Sequence, residues 1–590
     1  MSKKLEIICV IVLLAFFLGI NLYLAATDSQ TIDEGVHISA GYSYWLTGDF
    51  RINPEHPPLF KLLSAVPLLF YGLDLPINDQ SWANYNEWDF GRQFLYHNTK
   101  PADSIIFLAR LFPIILGIIL GYYIYKWVKE LLGRPWPGIF ALFLFALSPN
   151  FLAHSHLVTT DVPLTLFFFL SIYYFGHYIK KPNGKNLFLA AFSFALAMLV
   201  KYSAAILIPI LLILYIFYRF FGRPANQLSF KKIFKVILVY FLVTACLTLI
   251  FYAFEFKKPL DDPRVVRLYQ EREEVIKDGA EKDQPFFTRP LIKYGGPDQP
   301  IGKILYRFAE KIPVPAYTYW RGLFSVLSHN AFGHGSFLLG KASNQGWWYY
   351  FIVAFLVKTP LPTLILFFIG IFLILFYLIK KIWRLKSFRK TFEGIPFDYF
   401  VISVPPFIYF FWSLTSHINL GVRHIFPIYP FVFMISAWTF NYIFKKSRIN
   451  IIYVFIPVIV GTTYLLICFY NFPYYLSYFN EAVGGSSNGH NILSDSNLDW
   501  SQDVKRLKYF LEKNKIDNFY SYIFRSLVTH YYLKGELRMP NNQEIEESGI
   551  KKGYYVISAN VLFDPTLNYN WLKYYTPIAR IGYSIYVYKF

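Results

Sequence analysis

MSKKLEIICVIVLLAFFLGINLYLAA, residues 1–26, decides how the rest of the chain is read. Lys3 and Lys4 precede an apolar run from Ile7 to Ala26. A run of about twenty residues suits the thickness of a bilayer core and exceeds a signal-peptide h-region. No convincing A-x-A-like cleavage site follows it. The segment is therefore expected to be a transmembrane helix with its N-terminus in the cytoplasm.

Comparable runs lie near 104–125, 136–151, 162–179, 187–200, 203–220, 233–254, 351–379, 397–415, 424–444 and 450–470, making about eleven spans. Basic residues cluster beyond alternate runs: Lys126, Lys129 and Arg134; Lys180, Lys181 and Lys185; Arg219, Arg223, Lys231 and Lys232; Lys380, Lys381 and Arg384; Lys445, Lys446 and Arg448. With eleven spans every cluster, including Lys3 and Lys4, falls on the cytoplasmic side, and the C-terminus lies outside. Composition agrees. The chain of 590 residues is 55% hydrophobic and only 16% charged, against about 25% charged in a soluble protein. Its net charge of +20 follows the membrane rule rather than forming a nucleic-acid surface, so no nucleic-acid partner is expected. The three cysteines, Cys9, Cys246 and Cys468, sit in apolar runs without CxxC spacing and read as core residues.

The expected fold class is an all-α polytopic membrane protein with outer-face loops and a small C-terminal α/β domain. Residues 1–470 form the membrane domain, with outer loops at 27–103, 152–161 and 255–346, and residues 471–590 the extracytoplasmic tail. Within the tail, Asp499–Lys513 has helical spacing, while Gly553–Ile557 and Ser584–Tyr588 read as strands. A hydrophilic patch at 261–283 suits either a lid or a solvated loop.

Chemistry-bearing residues gather on the outer side. Thr31-Ile32-Asp33-Glu34 puts two carboxylates beside the first membrane helix. Asp33 suits a cap for the stretch Gly35–Leu46, or a general base, and the two roles are compatible. Asn53-Pro54-Glu55-His56-Pro57-Pro58 is a Glu-His pair stiffened by prolines. Glu55 and His56 can ligate a divalent metal; the plainer reading is a rigid turn. Asp161 lies between two apolar runs and also resembles an ordinary helix start. Lys201, Lys358, Arg423 and His424 are basic residues on the side where the orientation rule disfavours them. An anionic partner such as a lipid phosphate accounts for that, with snorkelling as the alternative for Lys358.

In order and sidedness these residues resemble the C-type membrane glycosyltransferases of family 39, the protein O-mannosyltransferases, and the related lipid A aminoarabinose transferases. The likeness rests on the Asp33-Glu34 pair, the Glu55–Pro58 segment and Asp161, over about the first 220 residues. Gly346–Tyr350 running into Lys358-Thr359-Pro360, Arg423-His424, Tyr478–Glu481 and Asp495–Trp500 extend it along nearly the whole chain. The resemblance implies a C-type fold and an inverting transfer of a hexosyl or pentosyl group. The donor would be a polyprenyl-phosphate sugar and the acceptor a hydroxyl on a protein, lipid or glycan at the outer face of the cell inner membrane. It implies Asp33 as general base with Glu34 and Asp161 in the catalytic set, Asp161 orienting the first loop. Lys201, Arg423, His424 and Lys358 would hold the donor phosphate, and Glu55, with His56, a divalent metal. His56 departs from the aminoarabinose enzymes, where Lys usually follows this Glu. No nucleotide cofactor is expected, since the chain carries no Walker or Rossmann glycine fingerprint. A transporter or flippase of lipid-linked sugars is the competing reading; it would bind at the bilayer midplane between repeats, and no internal repeat is evident.

Overall fold

The computed structural model describes residues 1–221, 230–266, 300–387, 391–392, 395–446, 452–524 and 528–590. Most of the patch expected at 261–283 lies outside the described residues, as do Arg223 and Arg448.

The opening run forms one helix, Lys3–Thr27, whose N-terminus is capped by Ser2 accepting from the Leu5 amide. Ile7, Ile8, Ile11 and Val12 are exposed, while Phe17, Asn21 and Leu24 are buried. Such an apolar outer surface on a helix of this length suits lipid. Among the described residues six helices are long and apolar enough to cross a membrane: Lys3–Thr27, Ala102–Leu132, Asp161–Lys180, Tyr202–Phe221, Lys231–Phe251 and Leu361–Leu385. The other expected stretches carry the shorter or less apolar helices Pro135–Ala146, Gly184–Val200, Phe397–Ser413, Tyr429–Lys446 and Ile452–Tyr470. The protein is thus a mainly helical, multi-pass membrane protein.

Two expected stretches are broken rather than continuous. The run 351–379 is two helices, Tyr350–Lys358 and Leu361–Leu385, parted at Thr359-Pro360. Proline supplies no N–H and forces its predecessor out of helical geometry, and Thr359 is indeed extended, with ψ 133°. The run 136–151 divides in the same way at Ser148-Pro149.

The bundle has two chemically distinct ends. At one, Lys129 pairs with Glu6, the Tyr173 hydroxyl donates to Glu130, and Lys180 Nζ lies 2.6 Å from Asp398. At the other lie Asp28, Asp33, Arg110, Asp161, Lys201 and Arg423, joined by the bonds given below. The helix Ile32–Thr47 begins there with Thr31 as N-cap. Asp33, expected as a possible cap, instead stands in the first turn, where its charge still favours the helix dipole.

In the tail, the helix Val504–Lys513 packs on a five-stranded sheet. The strand order is Glu536–Arg538, Phe519–Tyr522, Tyr554–Ser558, Ile585–Lys589, Ala579–Ile581, with the first three parallel and the rest antiparallel. The two expected strands are present, each one residue further along. This unit docks on the start of the first loop. Ser29 Oγ donates to the Ser501 carbonyl at 2.8 Å and accepts from the Val504 amide at 2.9 Å. Arg506 bridges Asp28 and Asp503. Burial alone would raise the Asp28 carboxyl, but Arg506 and His156 outweigh it and hold it at about 2.

Candidate functional site

A cavity of about 440 Å³ opens at this second end. Asp33, Glu55, His56, Lys201, Arg423 and His424 all line it, among apolar neighbours that include Phe351, Trp412 and Trp500. Distant parts of the sequence thus converge on one chamber.

Asp33 is the carboxylate at its edge, with 24% of its side chain exposed. Arg423 Nη1 donates to Asp33 Oδ2 at 3.1 Å and to Asp161 Oδ2 at 3.3 Å. Lys201 Nζ donates to the other Asp161 oxygen at 2.7 Å. One buried aspartate, 1% exposed, therefore holds both cations that face the cavity. Arg423 is fixed further by Ser496 Oγ at 3.1 Å and by the Trp500 ring 4.1 Å from its guanidinium carbon. Both of those residues come from the tail. A planar, always charged guanidinium held on three sides is a preorganised anion ligand.

Glu34 has the opposite surroundings. It is fully buried, does not line the cavity, and makes a two-pronged pair with Arg110 at 2.8 and 2.6 Å. It also accepts from the Thr31 amide and hydroxyl and from the Val158 amide. Burial opposes its ionisation; Arg110 and the backbone donors outweigh that and hold the carboxyl below its ordinary range. Arg110 spends its remaining donors on the carbonyls of Ala25, Asp28 and Ser29. Sequence reasoning missed Arg110, though a lone arginine inside the apolar run 104–125 was a signal that a buried acid must answer it.

Lys358 is also apart from the cavity. Buried, it donates to the Leu476 and Asn497 carbonyls at 2.8 and 2.6 Å and lies against the Phe479 ring. It ties the broken helix to the tail and does not line the cavity.

Glu55 and His56 reach the cavity but form no metal cage. Glu55 accepts from Ser325 Oγ at 3.3 Å, and His329 Nδ1 is 3.9 Å away. His56 has a buried Nδ1 without a hydrogen-bond partner among the described residues. Burial, then His37 and Lys201, push the His56 imidazole well below its ordinary value. Among the described residues no group of three His, Cys, Asp or Glu side chains could hold a metal ion. The donor set does not fit a metal. The turn itself is held by Lys61, which donates to the Asn53 and His56 carbonyls at 2.6 and 2.8 Å. Neither Lys61 nor the cavity-lining Glu87 was singled out from sequence. Burial and neighbouring Glu55 push the Glu87 carboxyl up to about 7.

Residues 102–252, about a quarter of the chain, match the dolichyl-phosphate-mannose-protein mannosyltransferase family. The resemblance read from the sequence is borne out there. The matched stretch contains Arg110, Asp161 and Lys201. An uncharacterised protein of Aquifex aeolicus is 26% identical over 133 residues, which is 22% of this chain and 26% of that relative. The aligned region thus spans about a quarter of the relative's length. Among solved structures, the Archaeoglobus fulgidus oligosaccharyltransferase is 13% identical with a TM-score of 0.46, covering 95% of this chain and 72% of the other. ArnT from Cupriavidus metallidurans bound to undecaprenyl phosphate is 12% identical with a TM-score of 0.41, covering 98% and 97%.

Proposed function

We propose that the protein is an inverting glycosyltransferase that moves a hexosyl or pentosyl group from a polyprenyl-phosphate donor to a hydroxyl acceptor. The observation that carries this reading is the Asp33–Arg423–Asp161–Lys201 cluster, with Asp33, Arg423 and Lys201 lining one largely apolar chamber. The match to a family named for a dolichyl-phosphate sugar supports the same donor class.

The step needs one base and one stabilised leaving group. Asp33 takes the proton of the acceptor hydroxyl as its oxygen attacks the anomeric carbon from the face opposite the phosphate. The new glycosidic C–O bond forms while the bond from the anomeric carbon to the phosphate oxygen breaks. The electron pair leaves with the phosphate, whose growing charge Arg423 and Lys201 balance, with His424 beside them. Asp161 keeps both cations aimed, and Glu34 with Arg110 holds the turn that presents Asp33. The apolar walls exclude water, which strengthens each of these interactions. In this reading the cluster end faces outward from the cell inner membrane. The bundle end with Lys129 and Lys180 faces the cytoplasm, as the basic clusters require. The acceptor is a protein, lipid or glycan hydroxyl.

The test is sugar transfer in proteoliposomes with radiolabelled polyprenyl-phosphate mannose and polyprenyl-phosphate aminoarabinose, followed by NMR of the product's anomeric centre. Transfer with inverted configuration is expected. Retained configuration would exclude the single displacement. Movement of the intact donor across the bilayer without transfer would establish the flippase reading instead.

A further inference from the structure

A second cavity, of about 750 Å³, lies beside the first and shares Glu55, Glu87 and Trp88 with it. The mechanism above makes no use of it. Its volume falls within the range of small-ligand sites, about 300–1,000 Å³. Three arginines meet there. Arg51 is bound to Asp49 through Nε at 2.9 Å and Nη2 at 2.7 Å, and its guanidinium lies 4.7 Å from the Trp82 ring. Arg264 is bound to Asp262 at 3.0 Å and lies 4.0 Å above the Tyr85 ring. Arg321 touches Asp262 at 3.5 Å, while its Nη1 is buried with no hydrogen-bond partner among the described residues.

We propose that this cavity is the acceptor subsite and that it takes a neutral glycan; the proposal rests on the transferase reading above. Three features carry it. The first is charge balance: Arg51, Arg264 and Arg321 face Asp49, Asp262 and Glu55, so an anionic acceptor gains no net attraction. The second is the wall. Among the described residues its aliphatic members are Pro54, Ala83 and Pro263, and the rest of the wall is polar or aromatic, a lining unsuited to a lipid tail. Sugar hydroxyls both donate and accept, and so can serve the exposed Asn84 amide and the carboxylates and guanidinium groups of the wall together, while the exposed face of Trp88 suits the C–H face of a pyranose. The third is position. Glu55, Glu87 and Trp88 line both cavities and Asp33 lines the first, so a glycan held in the second cavity adjoins the chamber that holds Asp33. The ion pairs hold the arginines in place before binding, which reduces the ordering cost of a weak polar ligand.

The experiment is saturation-transfer NMR on the full chain in lipid nanodiscs with mannotriose, cellotriose and chitotriose. A serine-containing heptapeptide and inorganic phosphate are the competing probes. Ala83→Trp fills the cavity from its exposed rim, and Asn84→Phe, also at an exposed position, is the second filling variant. An unchanged melting temperature shows which of the two folds. At least one trisaccharide is expected to bind, with affinity lowered about tenfold or more in a folded filling variant, the scale of one or two lost hydrogen bonds. No trisaccharide binding, binding unchanged by filling, or preference for the peptide or phosphate would overturn the proposal. Trisaccharide binding by a chain that consumes no sugar donor would contradict the transferase and leave the glycan site standing. Transfer without trisaccharide binding would remove the subsite alone.

Discussion

Two neighbouring regions of the outer end use the same chemistry, a carboxylate against an arginine, to opposite purposes. Around Glu34, every oxygen and every Arg110 donor is matched within a dry knot, with both side chains 0% exposed. Around Asp33, the arginine is shared with a second acid, and the carboxylate stands partly open on a cavity. The first region has nothing left to offer a substrate. The second has an open carboxylate and two aimed cations. Adjacency in sequence hides opposite surroundings: one carboxylate is spent inside the protein, and the other stands open to the cavity.

The largest effect is expected at the knot. Glu34→Gln removes the carboxylate charge that pairs with Arg110 in the interior, a loss of about 3–5 kcal/mol. Thermal unfolding in detergent is expected to show a large fall in melting temperature. A variant with wild-type stability would mean the knot does not hold the turn. Lys358→Met tests a smaller buried anchor and should cost about 1–3 kcal/mol through the carbonyls it abandons. Its KM for donor is expected to stay unchanged, since Lys358 does not line the cavity; a raised KM would return it to phosphate binding. Arg423→Lys keeps the charge but removes the planar fork that serves Asp33, Asp161 and Ser496 together. We expect kcat to fall about tenfold or more, roughly 1.4 kcal/mol of barrier, with little change in melting temperature.

The smallest effect is a pH dependence. The Glu87 carboxyl is pushed from its ordinary 4.5 up to about 7 by burial and Glu55. A raised folded-state value contributes stability that is fully present below about 4.5 and is lost as pH rises through about 7. Glu87→Gln removes that titration. Melting temperatures measured from pH 5 to 8 should therefore fall for wild type relative to the variant, and parallel curves would contradict the assignment.

Features set by consecutive residues can be read from the sequence, and features set by distant partners cannot. The helices were readable because apolar length and basic flanks are written in consecutive residues. The breaks at Pro149 and Pro360 were equally local, yet continuous hydrophobicity masked them in the reading of 136–151 and 351–379. Asp33, Asp161, Lys201 and Arg423 could be singled out because a charge at the outer interface needs a reason. Their mutual bonds, across 40 to 390 positions, could not be derived from spacing. The split between Asp33 and Glu34 was hidden for the same reason: it depends on Arg110, 76 residues away. Lys358 shows the converse, since position at an interface suggested a phosphate ligand while its carbonyl partners lie more than a hundred residues further on.

The most direct test of the central claim sets Asp33→Asn against wild type in proteoliposomes, measuring sugar transfer and melting temperature on the same preparations. General-base catalysis is worth about 10²–10⁴-fold, so transfer should fall by that factor. The melting temperature should hold, because Asn keeps the shape and a hydrogen-bonding oxygen toward Arg423. Full transfer by a stable Asp33→Asn protein would contradict the account and remove Asp33 from the chemistry.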